Sequence, residues 1–61
     1  MTIHELAADY FAKSDAYKAI AAMPEPTELE ARMAHTVAKD AALEAAVEAS
    51  LKLKAARKAA A

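Results

Sequence analysis

From Ile3 to Ile20 and again from Leu29 to Leu51 large apolar residues recur mostly at three- or four-residue spacing, with Ser14 and Asp40 standing in the one gap of each run. That spacing predicts two amphipathic helices rather than strands. Pro24-Glu25-Pro26 lies between them, where helix is least favoured, and Pro24 biases Met23 away from helical backbone. Two T-x-x-E sequences, Thr2 to Glu5 and Thr27 to Glu30, have the form of capping boxes that open helices. The reading is all-α: a two-helix antiparallel hairpin with helices over about residues 3–22 and 28–58, a Pro-containing turn at 23–27 and a frayed tail at 59–61.

At 100° per residue, Ile3, Ala7, Tyr10, Ser14, Tyr17 and Ala21 share one stripe of the first helix, flanked by Leu6, Phe11 and Ile20. On the second helix the stripe is Leu29, Met33, Val37, Leu43, Val47 and Leu51, with alanines such as Ala31, Ala38, Ala42, Ala45 and Ala49 opposite. The large residues are expected to form the packing face. The alanines read first as good helix formers on a solvated side, and in a second reading as a close-approach packing surface. A turn centred near Glu25 places Tyr17 by Met33, Tyr10 by Asp40 and Ile3 by Val47. The second helix then overhangs the start of the first by about 12 residues, or about 18 Å at 1.5 Å per residue, leaving Leu51 and Leu53 without a partner in the chain.

Composition sharpens this. Alanine supplies 20 of the 61 residues, whereas Leu, Ile, Val and Phe together supply 10. The near cancellation of charge, −1 overall, argues against disorder despite that low count. A single short domain with so few large side chains, no cysteine and no zinc-type spacing has neither a sufficient core nor the usual staples. A second chain is therefore expected, in the simplest case a homodimer forming a four-helix bundle. No stretch is long and apolar enough to cross a bilayer, and His4, Glu5 and Asp9 occupy the start where a signal peptide needs a basic then apolar run. A cytoplasmic protein without membrane contact is the expectation.

Few residues suggest chemistry. Asp40 and Glu44 interrupt the second stripe at one-turn spacing, but no Glu-x-x-His or His-x-x-x-His pattern accompanies them. Asp40 reads as a polar contact to Tyr10 that fixes register, or else as an exposed edge. His4 and His35 read as surface residues. With no Cys nucleophile, Gly-rich phosphate loop or ligand cluster, no enzyme, metal or cofactor is expected. Charge is segregated: residues 1–30 hold six acidic and two basic side chains, residues 31–61 three acidic and six basic. Glu28 and Glu30 at the start of the second helix and Lys52, Lys54, Arg57 and Lys58 at its end complement the helix dipole. The pairs Asp9–Lys13 and Glu48–Lys52 have i, i+4 spacing.

The leading expectation is a non-enzymatic protein–protein interaction module, an adaptor, inhibitor or regulator that binds a larger protein target through its helical faces. Phe11, Tyr17, Val47, Leu51 and Leu53 are its expected interface residues. So small a chain with binding capacity alone suits a phage or mobile-element modulator of a host protein. In size and layout the hairpin resembles ROP, whose dimeric bundle regulates RNA pairing. The basic end of the second helix gives the alternative, a nucleic-acid-binding dimer of that layout using Lys54, Arg57 and Lys58, residues that could equally contact an acidic partner. A structural assembly subunit is the third reading.

Overall fold

A computed structural model describes Met1–Ala61 and contains two helices, α1 (Ile3–Ala22) and α2 (Leu29–Ala60), packed against each other. The capping box at Thr2 forms in full. The Thr2 hydroxyl accepts from the Glu5 backbone N–H at 3.1 Å, and the Thr2 N–H donates to the Glu5 carboxylate at 3.3 Å. Pro24 holds Met23 extended (φ −68°, ψ 141°), so α1 stops at Ala22 without a glycine.

The second expected box does not form. Glu28, not Thr27, is the N-cap of α2, and no side chain caps it. Glu28 has extended angles, φ −75° and ψ 137°, and the chain bends at Thr27 and Glu28 before the helix begins. Glu25 instead reaches Arg32 on the first turn of α2 at 3.6 Å. At its other end α2 continues to Ala60 rather than fraying at 59, in keeping with alanine's high helix propensity. Asp9–Lys13 and Glu48–Lys52 pair at 3.0 and 3.8 Å.

The molecule measures 49 × 14 × 13 Å. A 32-residue helix at about 1.5 Å per residue spans about 48 Å, so α2 alone sets the long dimension. Its excess over the 20-residue α1 lies at the turn end, not at the C-terminal end. Tyr10 shares a cleft with Ser50 and Leu53 rather than Asp40, Tyr17 one with Leu43 and Ala46 rather than Met33, and Ala21 one with Lys39. The register is thus displaced by about ten residues, or about 15 Å. The linker explains it. Six residues, Met23 to Glu28, lie outside both helices, and an extended run of that length covers about 20 Å. It climbs beside the first turns of α2 before the chain reverses, where a tight turn near Glu25 was expected.

The packing face of α2 is also the reverse of the expected one. Only Leu6, Ala46, Ala49 and Leu53 are buried, with Ala31, His35, Ala42, Ala45 and Ala56 half-buried around them. The alanine side of α2 therefore faces α1, while Leu29, Met33, Val37, Leu43, Val47 and Leu51 are exposed. From α1 come Leu6, Tyr10, Ser14, Tyr17 and Ile20, all buried or half-buried, whereas Ile3 and Phe11 are exposed. Large side chains on one helix against small ones on the other allow close approach without voids. No buried polar side-chain atom lacks a partner, and no helix is long and apolar enough to cross a membrane.

Two outcomes are expected. Thr2→Ala should lower the stability of the hairpin by about 1 kcal/mol, whereas Thr27→Ala should change it by less than about 0.5 kcal/mol, both read from thermal melts followed by circular dichroism. Ala49→Leu forces extra volume into the closest part of the interface and should cost about 1–3 kcal/mol. The same change at exposed Ala41 should be near neutral.

Candidate functional site

The outward side of α2 is the largest feature the fold leaves open. Leu29, Met33, Val37, Leu43, Val47 and Leu51 fall within an arc of about 120° at 100° per residue, and exposure runs from 43% at Leu43 to 69% at Leu29 and Val37. Asp40 and Glu44 fall within the same arc and divide it into two apolar stretches, and exposed apolar patches of this kind mark interaction surfaces on folded proteins. The alanine face is consumed by α1, so the stripe has no cover from within the chain.

The stripe has two stretches. Near the turn, Leu29, Met33 and Val37 form a shallow groove with Thr36, Glu25 and Arg32, where the Glu25–Arg32 pair ties the linker to the helix. Farther along, Leu43, Val47 and Leu51 line a groove with Tyr10, Ser14 and Tyr17 of α1. Expected interface residues Tyr17, Val47 and Leu51 thus come together. Phe11 does not line that groove, but it packs its ring on Tyr10 with centroids 5.7 Å apart and planes tilted by 44°. At 100° per residue it follows Ser14 around the same flank of α1, and it is 61% exposed.

Leu53 departs from expectation. It is 5% exposed and belongs to the core of the hairpin, because the displaced register brings it beside Tyr10. Tyr10 and Asp40 are not brought together. Tyr10 lies among Ser50, Leu53, Lys54 and Arg57, whereas Asp40 borders a cleft with Ala21, His35 and Lys39 and is exposed. No side-chain hydrogen bond joins the two helices, so register rests on packing and on the linker. His35, expected on the surface, is half-buried on the alanine face, and His4 is exposed.

The basic end is divided. Lys54 and Arg57 flank Tyr10 in one cleft, while Lys54 and Lys58 both fall within the arc of the apolar stripe. Asp40, Glu44, Lys54, Arg57 and Lys58 all lack an ion-pair partner within the chain. No group of three or more His, Asp or Glu side chains gathers where a metal ion could be held. What the arrangement offers is apolar contact area edged by charge.

Sequence reasoning missed that the stripe is an outside surface, although it weighed the alanine face as a packing surface. The signal was present in the alanine count on that face: a helix that must approach another closely uses its small side. Compared with protein-family models, with curated proteins and with solved structures, the chain matches none.

Proposed function

We propose that the chain is a non-enzymatic protein–protein interaction module, a small helical adaptor, inhibitor or regulator that engages a larger protein through the outward face of α2. The observation that carries this reading is the inversion of α2. Its six large stripe residues are exposed, while Ala46 and Ala49 are buried and Ala31, Ala42, Ala45 and Ala56 half-buried. Leaving Leu29, Met33 and Val37 in water forgoes about 1.5–3 kcal/mol for each such side chain that a binding partner would recover. The groove they form with Glu25 and Arg32 joins apolar anchors to a charged rim, as protein interfaces do.

The test is affinity purification from the native cell of the unmodified chain and of a Leu29→Asp/Met33→Asp/Val37→Asp variant, with bound proteins identified by mass spectrometry. All three positions are exposed, so the variant is expected to keep its helicity in circular dichroism. One or more proteins should be retained by the unmodified chain and depleted at least about tenfold with the variant, a loss of about 1.4 kcal/mol or more. Equal recovery with both chains, or recovery of no protein by either, would overturn the reading.

A further inference from the structure

We infer that a second copy of this chain covers the Asp40–Lys54 part of α2, with the two α2 helices antiparallel and a two-fold axis passing beside Val47. The inference rests on the reading of the outward face as an interaction surface, and it names the occupant of the stretch away from the turn. Three observations support it.

The first is apolar symmetry. Leu43 and Leu51 stand one helical turn on either side of Val47, and all three are exposed. A two-fold axis at Val47 therefore sets Leu43 of each copy beside Leu51 of the other, with the Val47 side chains meeting at the centre. An isologous interface requires such self-complementarity, which a surface shaped for an unrelated protein does not need.

The second is charge antisymmetry about the same point. Asp40 and Glu44 lie before Val47 and Lys54 and Lys58 after it, all on the outward arc at 100° per residue. None of the four is paired within the chain. An axis at Val47 sets Asp40 of each helix opposite Lys54 of its partner, with Glu44 on the acidic side and Lys58 on the basic side of that pair. Parallel association would set Asp40 against Asp40 and Lys54 against Lys54, which like-charge repulsion disfavours. Antiparallel helices also oppose their dipoles head to tail.

The third is the shape of the seat. Leu43, Val47 and Leu51 are the floor of the groove whose other wall is Tyr10, Ser14 and Tyr17. A partner helix laid there touches both helices of the hairpin, and Phe11 stands on the same flank to meet it. The product is a four-helix bundle with the two α2 helices at its centre and the alanine faces already filled from within each chain.

The experiment is sedimentation equilibrium of the full chain from about 1 to 100 µM. The unmodified chain is expected to sediment as a dimer. The variants Asp40→Lys/Glu44→Lys and Lys54→Glu/Lys58→Glu, each alone, should dimerise at least about tenfold more weakly, and their equimolar mixture should recover a heterodimer of about the original affinity. Circular dichroism of each variant confirms that the exposed substitutions leave the helices intact. A monomeric unmodified chain would overturn the inference, as would a dimer indifferent to both charge reversals, the behaviour of a parallel pair. The two readings fail separately. A monomer that still captures a protein through Leu29, Met33 and Val37 refutes self-pairing alone, and a dimer restored by the charge swap that captures nothing refutes the larger target alone.

Discussion

The path of the Met23–Glu28 linker governs the rest of the molecule. Two prolines within three residues keep the backbone extended, and the observed angles at Met23 and Glu28 are those of a polyproline-like chain. The chain bends at Met23 and again at Thr27–Glu28, with no bend across Pro24–Pro26 between them. The linker carries the chain along the axis of α2 before that helix begins, so α2 returns about ten residues out of the register a tight turn would give. Every side-chain pairing follows from that offset. Leu53 reaches the core, Asp40 is taken away from Tyr10, and the surplus length of α2 stands at the turn end, with Glu25 and Arg32 bracing it.

The orientation of α2 about its own axis has a different cause. Packing Leu6, Tyr10, Tyr17 and Ile20 against a row of equally large residues would hold the helices apart around irregular gaps. Against Ala42, Ala46 and Ala49 the same side chains close onto the opposing backbone, and dispersion contacts replace the missing side-chain volume. The alanines thus serve as the small half of a large-on-small interface. Their abundance makes a close pair of helices from a chain poor in large residues, and it frees the few large ones on α2 for another surface.

Those two constraints differ in how legible they were. Helix positions could be read because capping, proline and periodicity act locally: α1 runs over the expected residues, and α2 differs by one or two at each end. The second box is not legible because it depends on which residue is the last non-helical one, and that is Glu28 rather than Thr27. The facing residues were not legible, since register depends on the path of six linker residues and a small error there moves every contact by turns of helix. The rotation of α2 was misjudged for another reason. Assigning the large stripe to the core assumes that the largest side chains pack first, whereas close approach to the large residues of α1 is made by the small side of α2. Among the expected interface residues, Tyr17, Val47 and Leu51 converge and Phe11 flanks them, whereas Leu53 was mistaken for a free end.

A hairpin with four buried residues has little free energy to spare. Its two helices are tied by one linker and one narrow interface, without an interhelical hydrogen bond. Any molecule that covers Leu43, Val47 and Leu51 binds the folded hairpin and not the unfolded chain, because the groove has walls from both helices and exists only when they are packed. Binding and folding are then one equilibrium, and the hairpin's stability rises with the concentration of whatever occupies that groove. If the occupant is a second copy, stability depends on the amount of the protein itself. Because the linker displaced the register, the groove pairs Leu43 with Tyr17 instead of leaving both ends of the stripe on a bare helix. The same six residues that upset the simplest pairing therefore build the surface on which that coupling depends.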